Sequence, residues 1–356
     1  MVLEKMNSFV IHNRGFLTDL FGGASHRHAI ITCPEPIKSS DGDFLVSKKP
    51  VKNWLSWAVT NYESKVKILE LFQDDSVPYV NLNTNTGVFA SAFGCCLHVY
   101  KEDTAACAMP MVETAEEADR LPEPDLNAPA IERFFELANF LRYELGKEVP
   151  ISVPDVQSPF DIAALVWKKE NMMTALYERP DSVLRLVEKC LQLLKIFLRT
   201  FIREFPNCNL CHCPTAWAPP EFGVWLSEDE AGSISSEMFV KFCLPSLVAL
   251  SREFGGMFIH CCANADHQYG NFRRIPNLRG LNRYLPKQSG GPRAVIEAFS
   301  EKTVIMPPFE NEQKVYEWLD MALPNTRFLF NLPVDLLNIE EAKRMYDRIR
   351  VAVTKN

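Results

Sequence analysis

The strongest constraint on the fold is an alternation that persists along the chain. Short apolar runs recur, and each is followed by sequence with helical periodicity. Candidate strands lie within residues 26–34, 77–85, 149–155 and 208–214, then at 257–262, 278–284, 303–306 and 327–332. Between them, Pro129 opens a helix with Ile131, Phe134, Phe135, Ala138 and Leu141 on one side, ended by Gly146. Residues 181–205 carry Val183, Leu184, Val187, Leu191, Leu194 and Leu198 at the same spacing, and 236–254 form a further helix. Thr114-Ala115-Glu116-Glu117 and Ser227-Glu228-Asp229-Glu230 both read as capping boxes. Eight strands alternating with helices, with no repeat or low-complexity linker, predict an α/β protein built as a single (β/α)8 TIM barrel. Residues 1–60 are expected to form an N-terminal extension that contains the first barrel strand, and 61–356 the remainder. An open doubly wound sheet is the competing arrangement, but no Gly-x-Gly-x-x-Gly follows any strand.

A chain of 356 residues is comfortable for one such barrel. The net charge is −7, and no basic block or arginine–aromatic interleaving appears, which argues against a nucleic-acid partner. No run of about 18 uncharged apolar residues is present, so no membrane-spanning helix is expected. The polar residues within 1–17 argue against a signal peptide. Eleven cysteines without a regular framework indicate reduced thiols, hence a cytoplasmic location.

Catalytic groups collect at the C-terminal ends of barrel strands. In this chain those ends offer Asn83 and Asn85, Asp155 and Gln157, His212 and Cys213, His260 and Cys262, Arg283, and Asn331, with Asp229 and Glu230 close behind. In Gly255-Gly256-Met257-Phe258-Ile259-His260-Cys261-Cys262, side chains alternate along the strand. His260 and Cys262 therefore point one way and Cys261 the other. An imidazole and a thiolate at i, i+2 supply half of a tetrahedral zinc site, although an ordinary core strand can end in the same residues. Cys213, on the neighbouring strand, is the candidate third ligand ahead of His212 and Cys211, with filling of the barrel interior as the alternative role. Asp155 is the acid–base candidate. Asn83, Gln157, Asp229, Arg283 and Asn331 are the expected substrate contacts. Arg283 is the cation best placed for a carboxylate, unless it serves a surface salt bridge. Asp161 reads as a cap on the following helix, and His26 and His28 as surface residues.

Residues 149–180 begin Val-Pro-Ile-Ser-Val-Pro-Asp-Val-Gln-Ser-Pro-Phe-Asp-Ile-Ala-Ala and end Tyr177-Glu178-Arg179-Pro180. They resemble the uroporphyrinogen decarboxylase superfamily. So do Leu226-Ser227-Glu228-Asp229-Glu230-Ala231, Ser235-Ser236-Glu237-Met238-Phe239 and Leu244-Pro245. Phe258-Ile259-His260-Cys261-Cys262 is similar to the His-x-Cys strand end of the superfamily's zinc-dependent corrinoid methyltransferase branch. The resemblance runs from about residue 69 to 351. It implies a (β/α)8 barrel with its site at the C-terminal face.

The methyltransferase branch also implies a third zinc ligand, a later Cys near the last strand. Phe328-Leu329-Phe330-Asn331-Leu332 has none, and no Cys follows Cys262. True uroporphyrinogen decarboxylases use no cofactor and carry an early Arg-Gln-Ala-Gly-Arg-Tyr segment, where this chain has Pro34-Glu35-Pro36-Ile37. The resemblance thus favours zinc-dependent methyl transfer between a corrinoid and a thiol or similar acceptor. A cofactor-free decarboxylase of a tetrapyrrole or other carboxylate, using Asp155 with Arg283, is the alternative. A non-catalytic corrinoid- or tetrapyrrole-binding protein is a third. The expected partners are a small-molecule substrate, a corrinoid protein and a second copy in a homodimer.

Overall fold

The computed structural model describes residues 2–25, 27–82, 84–100, 106–284 and 290–355, with side chains from residue 8 onward. The protein is α/β. Its strands are β1 Ala29–Pro34, β2 Cys96–Val99, β3 Ala106–Met109, β4 Val224–Ser227, β5 Met257–Cys261, β6 Leu278–Arg283, β7 Val304–Met306 and β8 Leu329–Val334. Four of them pair in parallel in the order β4-β5-β6-β7, and β1 pairs in parallel with β8. A parallel bridge from Ile305 to Phe328 joins β7 to the start of β8. Further parallel bridges link Val80 to Ile151, Ser152 to Asn209, and Gln157 to Ser227. Among the described residues only the pair β2-β3 is antiparallel.

Parallel strands need long crossovers, which the intervening helices supply, and those helices cover the sheet. This is why all four residues of β4 are buried and the apolar runs are nearly continuous. Trp225 of β4 stacks on Phe258 of β5 with ring centroids 4.2 Å apart. Phe21, from the helix Val2–Gly22, meets both rings edge-on, closing one end of the core. Among the described residues no helix is long and apolar enough to cross a membrane. All eleven cysteines are free.

Several expectations are corrected. Residues 208–214 do not form a strand of the main sheet; Asn209 makes only a single bridge, and the strand that follows the long helix Pro180–Glu204 is β4. Ser227 is the last residue of β4 rather than a helix cap, and the next helix, Ser236–Phe242, is capped by Ser235. A second helix, Leu244–Phe254, follows a break at Cys243, because Pro245 cannot continue the first. The Thr114 capping box is present as expected, with Glu117 reaching back to the Thr114 backbone N–H at 3.1 Å.

Two glycines set the register that matters for the site. Gly223 (φ +116°) and Gly256 (φ +159°) precede β4 and β5, and their backbones touch. A Cβ on Gly223 would fall 2.0 Å from the Gly256 carbonyl oxygen, and one on Gly256 2.3 Å from that of Phe222. Only glycine permits this approach at positive φ. It fixes Val224 opposite Met257 and Ser227 opposite His260. The chain leaving β4 therefore runs beside the end of β5, where the Glu228 N–H donates to the His260 carbonyl at 2.9 Å.

His28 is buried rather than on the surface; its Nδ1 accepts from the Phe328 backbone N–H at 3.1 Å and its ring lies 5.1 Å from that of Phe328. His26 lies outside the described residues. Burial pushes the His28 pKa down to about 4, so the fold holds the neutral ring. The stabilisation is complete above the unfolded value near 6.5 and is lost as pH falls towards 4. Urea stability is expected to drop by about 3 kcal/mol over that window from this residue alone. His28→Asn keeps an acceptor but cannot titrate, so it should flatten that part of the profile. An unchanged slope in the variant defeats the assignment.

Candidate active site

The site is built where β4, β5 and β6 end. Asp229, His260 and Cys262 place one ligand atom each within 4.8 Å of one another. The Cys262 backbone N–H donates to Asp229 Oδ1 at 2.6 Å, tying the segment after β4 to the end of β5. His260 Nδ1 lies 2.6 Å from Asn282 Oδ1 on β6. Asn282 in turn donates from Nδ2 to the Met306 carbonyl on β7 at 2.7 Å. That carbonyl fixes which way the amide faces, so Asn282 offers His260 an oxygen. His260 therefore carries its proton on Nδ1 and leaves the Nε2 lone pair for a ligand.

Cys213 Sγ approaches His260 from the Nδ1 side at 3.5 Å. Asp229, rather than the expected Cys213, is thus the third member of the cluster. Burial, then Asp229, raises the Cys262 thiol to about 11, and burial, then Asp155 and Asp229, raises Cys213 to about 12. Near neutral pH both are thiols without a cation beside them, so neither is an activated nucleophile on its own.

A polar chain continues sideways from this cluster. His212 Nε2 lies 3.2 Å from Ser227 Oγ and 3.3 Å from Asp155 Oδ1. Gln157 Nε2 donates to the same Asp155 oxygen at 2.5 Å, and Thr84 Oγ1 accepts from the Asp155 N–H at 2.6 Å. Burial lowers the His212 pKa despite Asp155, so the ring is neutral, and its buried Nδ1 has no partner. Asp155, Gln157, His212, Cys213, Asp229, His260 and Cys262 are therefore connected in one band.

Two expected contacts lie elsewhere. Asn331 Oδ1 accepts from Cys33 Sγ at 3.2 Å, while its Nδ2 is buried without a partner. Nearby chemistry comes from Lys65 on the helix Leu55–Phe72, pushed down to about 8 by burial and donating to the Tyr79 carbonyl at 3.1 Å. Arg283 is fully buried and does not open onto the site. Its Nη1 donates to the carbonyls of Cys261 and Ala263, both at 2.7 Å, and its Nη2 pairs with Asp266 at 3.1 Å. It braces the turn that carries Cys262, so the substrate role expected for it is corrected. Asn83 lies outside the described residues.

Asp229 is itself held from below. Asp161 accepts from the Asp229 N–H at 2.7 Å and from the Glu230 N–H at 3.2 Å, while Ser158, not Asp161, caps the helix Pro159–Val166. Fully buried Glu228 lies against Asp161, with Ser158 and Cys243 beside it. Burial, then this carboxyl neighbour, raises the Glu228 pKa well above the ordinary range, so it is neutral. Asp161, with two N–H donors, is the better seat for the pair's single negative charge.

The uroporphyrinogen decarboxylase family model matches residues 48–218. Just under half of the chain is thus similar to that family. No curated protein matches it. Among solved structures it is similar to a methyltransferase from Methanosarcina mazei, at 14% identity and a TM-score of 0.62, over 96% of this chain and 97% of that one. At that identity the likeness is one of fold. The superfamily match contains Asp155, Gln157, His212 and Cys213 but ends before Asp229, His260 and Cys262.

Sequence reasoning missed Asn282 as the partner that orients His260, and Asp161 as the support beneath Asp229. Neither carries a local signal, because each acts across a gap of more than twenty residues. The only available hint for Asn282 was its place near the end of a strand.

Proposed function

We propose that this chain belongs to the uroporphyrinogen decarboxylase superfamily and is a zinc-dependent methyltransferase that moves a methyl group from a corrinoid to a thiol or similar acceptor. The proposal includes a closed (β/α)8 barrel, made by joining the parallel pairs and bridges into one ring with the site at its C-terminal mouth. The observation that carries the reading is the convergence of Asp229, His260 and Cys262. One carboxylate, one imidazole and one thiolate suit zinc with a fourth position open to substrate. Bound there, zinc would hold an acceptor thiol as its thiolate near neutral pH. Asn282, by accepting from His260 Nδ1, would leave the Nε2 lone pair for the metal. The Asp161 contacts and the Cys262 N–H keep Asp229 aimed at the same point. Buried, neutral Glu228 adds no further charge behind it.

The acceptor sulfur attacks the methyl carbon, and the carbon–cobalt pair stays on the corrinoid, so a thioether and a two-electron-reduced corrinoid form together. Metal-free decarboxylation is less well supported, because Arg283, the cation it needed, is committed to Cys261, Ala263 and Asp266. The test is to incubate zinc-loaded protein with methylcobalamin and a panel of small thiols, following the cobalamin spectrum and thioether. Demethylation should cease after chelation and return with zinc. Absence of thioether from fully loaded protein, or an equal rate from Cys262→Ala, overturns the reading.

A further inference from the structure

A cavity of about 510 Å3 lies at the opposite end of the strands from His260. It is lined where β6 begins, at Leu278 and Arg279, just before β7, at Thr303, and just before β8, at Arg327. Five of its side chains are basic, namely Arg273, Arg274, Arg279, Lys302 and Arg327, against one acid, Glu301. That concentration is notable in a chain of net charge −7. Among the described residues none of the five is paired with a carboxylate.

The ordinary explanation is that these cations offset helix C-termini. Arg327 does donate to the Leu20 carbonyl at 2.5 Å, and Arg279 to that of Gly255 at 3.4 Å. A helix end carries roughly half a negative charge. The helices Val2–Gly22, Leu244–Phe254 and Gly291–Phe299, together with Glu301, therefore offset only about half of the five positive charges. The surplus is not all freely solvated. Arg327 is only 3% exposed, and burial lowers the pKa of both Arg327 and Arg279. A desolvated guanidinium without a carboxylate gains more from an incoming anion than an exposed one. Phe21, Ile275 and Phe299 also line the cavity but are at most 3% exposed, so the surface it offers a ligand is mostly polar. The volume falls within the range of small-molecule sites.

We propose that this cavity binds a small polyanion carrying two or more phosphate or carboxylate groups. The anionic groups meet the arginines and Lys302. The site is separate from the Asp229–His260–Cys262 cluster and does not depend on the chemistry proposed there.

Isothermal titration of the full chain with three probes tests it: the polyanions pyrophosphate and citrate, and the monoanion acetate. Pyrophosphate or citrate should bind saturably, at least about tenfold more tightly than acetate. The tighter of the two identifies phosphate or carboxylate as the natural group. Arg327→Gln removes the buried cation but endangers folding. The exposed pair Arg273→Gln with Lys302→Gln avoids that, and should weaken binding by at least about tenfold with an unchanged circular dichroism spectrum. No saturable binding of pyrophosphate or citrate, no preference for either over acetate, or equal affinity in the double variant overturns the proposal.

Discussion

Cys262→Ala and Asp229→Ala should each reduce bound zinc from about one per chain to under about a tenth, after zinc-supplemented expression and desalting. Each removes one of three converging donors, and two protein ligands are fewer than a catalytic zinc normally keeps. Cys261→Ala should leave zinc in place, because Cys261 is fully buried on the other side of β5. Cys213→Ala should leave it as well, since that sulfur meets the nitrogen of His260 already engaged by Asn282. The pH dependence has a definite sign. Metal-free Cys262 keeps its proton up to about 11, so zinc must displace it. Apparent affinity should therefore rise about tenfold per pH unit between pH 6 and 8 from this one thiol. Loss of zinc in Cys213→Ala with retention in Asp229→Ala would reverse the ligand assignment.

Arg283→Lys should destabilise the protein by about 2–4 kcal/mol in urea titrations, because a buried ammonium cannot reproduce the forked donation to two carbonyls and a carboxylate. Zinc retention should fall with it, since the brace holds the turn that carries Cys262. This differs from the outcome for a substrate-binding arginine, where KM would rise and stability would stay. A variant of unchanged stability with weaker substrate binding would return Arg283 to the mouth of the site.

The alternation that organises the fold was legible because strands buried on both faces must be apolar throughout. β7 and the first three residues of β5 carry that run openly, and the long helix Pro180–Glu204 shows its own helical period. β4 was concealed by its own ending: Ser227 followed by Glu228 to Glu230 has the spacing of a helix start. Only the close approach of Gly223 to Gly256 shows why it is a strand. The hairpin β2-β3 was hidden because its first strand is largely exposed and shows no alternation. His260 and Cys262 could be singled out from period-two geometry alone. Asp229 could be named but not given its place, because its nearness to Cys262 depends on the pairing of strands some thirty residues apart. Arg283 was misjudged because a strand-end arginine looks the same in sequence whether it faces a substrate or closes a turn.

The Asn282 contact has a consequence for how the site answers to ligands. His260, Asn282 and the Met306 carbonyl stand level on three adjoining strands, and the ladder itself sets their spacing. A slip of β6 by one residue would replace the amide with Leu281 or Arg283 and turn it to the other face. The imidazole is thus oriented before anything binds, and the entropy of fixing it is lost during folding rather than at the encounter. Such a preorganised donor should look the same in the empty and loaded protein, leaving Cys262, the exposed member, as the group that adjusts.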